Sequence, residues 1–107
     1  LPQALALWDA VAADPSADKL LRGLATLLWT QHQLDKGVPG ILEARLKPLA
    51  VPDNPWRPMA EEQLALLAVR QGHTAQAKDT LTALSHDVTA PKGVRERATA
   101  VLAQLQG

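Results

Sequence analysis

The chain has 107 residues, enough for one domain with a modest core. Eleven Lys and Arg balance eleven Asp and Glu, and no block of like charge stands out, which argues against nucleic acid or an anionic membrane surface as the main partner. There is no Cys, so a disulfide framework and a thiolate metal site are both excluded.

Nineteen Leu and nineteen Ala stand against eight Val plus Ile and three aromatics, all Trp. Leu and Ala are the best apolar helix formers, while strands favour β-branched and aromatic residues. The expected fold class is therefore all-α. No apolar run approaches the ~20 residues of a membrane span, and no stretch of these residues reads as a signal peptide. The chain opens at Leu1 already in helical pattern and without an initiator Met, so it is expected to be a fragment of a longer chain.

Leu5, Trp8 and Ala12 follow helical spacing and predict a leading helix within residues 1–13. Asp14-Pro15 should end it and begin the next, with Asp14 as N-cap and Pro15 at the first helical position. That second helix should run to about Leu34, with Leu20, Leu21, Leu24, Leu27, Leu28 and Trp29 as a broad apolar surface. Gly37 and Pro39-Gly40 break it.

A third helix carries Ile41, Leu42, Leu46 and Leu49, and Pro48 should fray or kink its end. The fourth begins at Asn54-Pro55 or nearer Pro58 and stops at Gly72. Its run Leu64-Ala65-Leu66-Leu67-Ala68-Val69 is apolar on every face, so it must be covered from at least two sides. Leu64, Leu67 and Ala68 should be core. Thr74 should cap the fifth helix, whose core positions are Ala77, Leu81 and Leu84. The sixth carries a single stripe of Val94, Ala98, Val101, Leu102 and Leu105, which suits an end cap.

Sliding the chain by 35 residues sets the second and third helices on the fourth and fifth. Arg22 then meets Arg57, Ala25 meets Ala60, Gly37 meets Gly72, Leu46 meets Leu81 and Leu49 meets Leu84. A period of about 34 is that of tetratricopeptide (TPR) repeats. The expected architecture is a single TPR-like domain of antiparallel helical hairpins stacked as a short solenoid of about six helices. Residues 16–50 form a degenerate repeat, 54–88 a better-formed one and 90–106 a capping helix. Leu42 replaces the small residue that Ala77 supplies in the second unit, which predicts wider helix spacing in the first.

No catalytic constellation emerges. His32, His73 and His86 lie on different elements without HxxxH or HExxH spacing, so no metal is expected. Glu61-Glu62 are neighbours on a helix, pointing about 100° apart in its first turns, where acidic residues suit the dipole. Ser and Thr residues lack a nearby base. Nucleotide-binding glycine patterns are absent, and no cofactor is expected. The three Trp sit at apolar helical positions or helix starts and should be core.

Function can then show only on a surface. In stacked hairpins the first helix of each pair lines a groove. The outward positions of that helix in the better-formed unit are Met59, Glu62, Leu66 and Arg70, with Leu24, Leu27 and Gln31 in the preceding one. That mix suits an apolar peptide and lacks the Lys and Asn of a carboxylate clamp. The rival reading packs these faces on a missing repeat or on each other.

One family resemblance adds to this. Asn54-Pro55-Trp56-Arg57, Ala60-Glu61, Leu64-Ala65-Leu66, Arg70-Gln71-Gly72, Ala77, Leu81-Thr82-Ala83-Leu84, Ala90-Pro91 and Arg97-Ala98 together resemble the TPR-like periplasmic domain of YfgM-type ancillary subunits of the SecYEG translocon, particularly alphaproteobacterial ones. The likeness covers about half the chain. It implies an N-terminal membrane anchor missing here, a place on the periplasmic side of a bacterial inner membrane, and protein partners: translocon subunits, periplasmic chaperones or emerging secreted chains. The family supplies no catalytic motif. The expectation is a non-enzymatic protein–protein interaction module. The alternatives are a structural oligomerisation or scaffold segment forming a homo-oligomer, an enzyme of undescribed type, and a DNA-binding bundle using Lys92, Arg95 and Arg97.

Overall fold

A computed structural model describes residues 2–106. It contains six α-helices: α1 (Pro2–Ala13), α2 (Lys19–Gln31), α3 (Pro39–Leu46), α4 (Arg57–Arg70), α5 (Thr74–Ser85) and α6 (Lys92–Gln106), with a short 3-10 turn at Lys47–Leu49 after α3. No strand occurs among the described residues.

Several boundaries follow from single residues. Pro48 cuts α3 to eight residues and leaves the 3-10 turn in its place. Gly72 adopts φ 82°, the left-handed conformation that suits glycine. That lets the His73 amide donate to Ala68 O at 2.8 Å and the Gly72 amide to Val69 O at 3.0 Å, a Schellman stop for α4.

Two caps differ from the sequence expectation. Asp18, not Asp14, caps α2: its Oδ1 accepts from the Leu20 amide at 2.8 Å and the Leu21 amide at 3.4 Å. Asp14 is claimed instead by Ser16, whose amide and hydroxyl donate to its Oδ1 at 2.9 and 2.7 Å. A local side-chain turn thus displaces the helix start. α2 also stops at Gln31, short of Leu34. At α5 the N-cap position falls to His73, and no side chain bonds there.

The core lies in two patches joined by α4. Ala65, Leu81, Leu84, Ala90, Val94 and Ala98 form one, between α4, α5 and α6. Leu27, Leu46 and Ala60 form the other, between α2, α3 and α4. Met59 packs against both. α4 touches α2, α3, α5 and α6, which accounts for its lack of a polar face. Leu67 and Ala68 are buried as expected, but Leu64 is only half-buried, because the gap beside the truncated α3 lies next to it. In the register of 35 residues, the pairs Ala25 and Ala60, Leu42 and Ala77, and Leu46 and Leu81 are all buried.

The Trp residues are half-buried rather than core. Trp8 stacks on His32 with ring centroids 5.0 Å apart, and the Arg45 guanidinium lies 4.2 Å from the centroid of Trp29. Arg45 also pairs with Asp9 at 2.7 Å. These contacts hold α1, which has no fully buried residue. Each ring spans a junction between helices, which leaves one side of it facing solvent.

Candidate functional site

Two concave regions flank α4. One lies between α2, α4 and α6 and encloses about 450 Å³. α2 contributes Leu24, Leu27, Leu28 and Gln31, spaced three, four and seven residues from Leu24 and so on one face of the helix. α4 contributes Met59, Glu62, Gln63 and Leu66 in the same phase. Trp56 closes one end, Leu34 the other, and Arg97 enters from α6. The wall is thus mostly Leu, Met and Trp.

The two long helices are held together beneath this cleft by a buried polar bridge. Gln63 Nε2 donates to Leu27 O at 3.1 Å, and the Thr30 hydroxyl is bonded to Gln63 Oε1. Thr30 is fully buried and also lies 3.0 Å from Thr26 O in its own helix. Both polar side chains are therefore satisfied, as buried groups must be.

Of the sequence-predicted groove residues, the structure places Met59, Glu62 and Leu66 in the cleft together with Leu24, Leu27 and Gln31. Arg70 lies outside it. Its Nη1 donates to Leu34 O and its Nη2 to Gly37 O, both at 2.7 Å, so it satisfies two carbonyls of the turn between α2 and α3. Glu62 is not free either. Arg97 Nε donates to Glu62 Oε2 at 2.6 Å and Nη2 to Oε1 at 3.0 Å, a bidentate pair joining α4 to α6. The Glu62 carboxylate raises the Arg97 guanidinium pKa further above its ordinary range.

Arg97 carries no expected groove role, yet a signal for it exists. Glu62 and Arg97 are 35 residues apart, the same shift that sets the second and third helices on the fourth and fifth.

The second concavity, about 540 Å³, lies on the opposite side between α3, α4 and α5. Leu64, Ala65 and Ala68 floor it, and Glu43, Glu61, His73 and Gln76 rim it. Its carboxylates already have partners: Glu43 faces Lys47 at 3.8 Å, and Glu61 pairs with Arg57. Arg57 also bonds Asp87, tying α4 to the loop before α6. The Thr89 hydroxyl first, and Arg57 second, hold the Asp87 carboxyl at about 2. These charges fasten α4 to its neighbours.

No group of three or more His, Cys, Asp or Glu able to hold a metal occurs among the described residues. No helix among them is long and apolar enough to cross a membrane. Known protein families, curated proteins and solved structures yield no match to the chain.

Proposed function

We propose that this domain is a non-enzymatic protein–protein interaction module, and that a segment of another protein docks in the cleft between α2, α4 and α6. The observation that carries this reading is the wall itself: Leu24, Leu28, Met59 and Leu66 line an open concavity that no element of the described chain fills. The helices beneath it are cross-braced by Gln63, Thr30 and Arg70, so the cleft is preformed.

A TPR-like stack of hairpins is part of the same proposal. Its support is the spacing of the cross-helix bonds. Trp56 to Leu20, Gln63 to Leu27, Arg70 to Leu34 and Arg97 to Glu62 all join residues 35 or 36 apart. α2, α4 and α6 thereby lie side by side in one register, and the molecule is elongated at 43 × 29 × 20 Å. On the resemblance of the Asn54–Ala98 stretch to YfgM-type subunits, the module works on the periplasmic side of a bacterial inner membrane. Its partners there are translocon subunits, chaperones or emerging secreted chains.

One observation favours a second reading, a self-associating scaffold. Leu7 is 62% exposed, and Leu20 and Leu21 are about half exposed. Molar mass from light scattering over a concentration series separates the two. The interaction module is expected to stay monomeric with its cleft open. A tight dimer that buries the Met59–Leu66 face would instead make the cleft an internal packing surface.

A further inference from the structure

We propose that α1 is a hinged strap: it opens as a unit about the turn at residues 14–18 while α2 to α6 stay folded, and Arg45 is the latch that holds it closed. The cleft is walled by α2, α4 and α6, so the strap goes beyond the reading above and does not depend on it.

The first sign is a break in the burial pattern. Leu7, Leu42 and Ala77 are successive positions in the shift of 35 residues. Leu42 is 1% exposed and Ala77 0%, yet Leu7 is 62% exposed. The neighbours explain the difference. α3 lies between α2 and α4, and α5 between α4 and α6, whereas among the described residues α1 packs along α2 alone. Its inner stripe of Leu5, Trp8, Val11 and Ala12 is only half-buried as a result.

That arrangement separates α1 from the core. Every other helix places a residue in one of the two buried clusters: Leu27 from α2, Leu46 from α3, Ala60 and Ala65 from α4, Leu81 from α5 and Val94 from α6. α1 places none. Lifting it therefore leaves both clusters intact, and an opening that exposes little core lies well below the free energy of global unfolding. The pivot suits the motion. Asp14, Pro15, Ser16 and Asp18 are exposed, and the bonds there are local: Ser16 donates to Asp14, and the Leu20 amide to Asp18. None of these has to break when α1 lifts.

The contacts that do break are few, and Arg45 carries two of them. Its guanidinium lies 4.2 Å from the centroid of Trp29 on α2, and its Nη2 donates to Asp9 Oδ1 on α1 at 2.7 Å. One side chain of α3 thus clamps α1 against α2. The Trp29 ring holds the guanidinium in place before Asp9 meets it, so the latch is preformed on the α2–α3 side. The remaining clasp is Trp8, stacked on His32. An ion pair and a cation–π contact at half-exposed positions are each of modest strength. Such strength lets a strap close without fixing it shut.

The test is native-state hydrogen exchange, followed residue by residue by NMR at low denaturant on the wild-type chain and the Arg45→Ala and Asp9→Asn variants. The hydrogen-bonded amides of residues 6–13 are expected to share one denaturant slope and to exchange about a hundredfold or more faster than those buried in α4, after correction for intrinsic rates. Arg45→Ala should speed α1 about tenfold and leave α4 and α5 unchanged. Asp9→Asn, which keeps the stack on Trp29, should speed α1 about two- to fivefold. Added salt should speed α1 in wild type and not in Asp9→Asn, because it screens the half-exposed pair. Equal rates in α1 and α4 would mean that the domain opens as one unit and would overturn the strap. Rates that grade from residue 6 to residue 13 without a common slope would be end fraying and would overturn it too. If Arg45→Ala speeds α1 and α4 alike, or neither, Arg45 is not the latch.

Discussion

Leu81→Ala is expected to lower the stability of this domain by about 2–5 kcal/mol, a large part of the roughly 5–15 kcal/mol that holds a domain of this size folded. Leu81 is 0% exposed and sits in the cluster with Ala65, Leu84, Val94 and Ala98. Removing its isobutyl group costs the transfer energy of the lost methylenes and leaves a cavity where α4, α5 and α6 meet. Their small residues cannot move in to fill it without shifting whole helices. Urea unfolding measures this. Val88→Ala is the comparison: Val88 is 84% exposed, and its change should stay within about 0.5 kcal/mol. A Leu81→Ala loss no larger than that of Val88→Ala would mean that the seam between α5 and α6 is not packed as described.

Gly23→Ala is expected to destabilise by about 1–2 kcal/mol, against the ordinary rule for helices. In a solvent-exposed helix the same change stabilises by roughly 0.5–1 kcal/mol. Here a Cβ would overlap Trp56 Cδ1 and lie 2.7 Å from its Nε1. The ring cannot swing aside freely, because its Nε1 donates to Leu20 O at 3.0 Å. Either that bond breaks or α2 moves off α4. Overpacking of this kind costs about 1–3 kcal/mol, which outweighs the propensity gain. Gly40 provides the control. It lies in α3 with no atom within 4 Å of its would-be Cβ, so Gly40→Ala should be neutral or stabilising. A Gly23→Ala variant as stable as wild type would contradict the close approach of Trp56.

These two positions mark where the sequence is readable. The burial of Leu81 follows from local signals: Gly72 as a stop, then Ala77, Leu81 and Leu84 at helical spacing. Helix starts and stops depend on neighbours within a few residues, so most of them are legible. The caps of α2 and α5 are exceptions: at α2, Asp14 and Asp18 are both competent and Ser16 decides between them, and at α5 the helix begins with Thr74 itself, which leaves His73 in the cap position. The role of Gly23 depends on Trp56, a contact between separate elements, and no periodicity within α2 reveals it. The Trp rings depart from the expected burial for the same reason. An apolar helical position predicts burial, but Trp8 and Trp29 lie at junctions where His32 and Arg45 cover only one side.

The cleft divides in the same way. Helical phase alone brings Met59, Glu62 and Leu66 to one side of α4 and Leu24, Leu27 and Gln31 to one side of α2. It also assigns Arg70 to that side, where its length instead lets it reach the backbone at Leu34 and Gly37. Arg97 escapes a helix-by-helix reading because its partner Glu62 lies 35 residues away on another helix. Applying the 35-residue shift to charges as well as to Leu and Ala would have paired them.

The role of the cleft is tested most directly by a photo-crosslinking amino acid placed at Leu66 in the intact protein within its own cells. Gln76, on the opposite concavity, and Val88, on an open loop, serve as control positions. A discrete adduct with another protein at Leu66, absent at Gln76 and Val88, is the predicted result. Adducts of equal yield at all three positions, or none at Leu66, would contradict it.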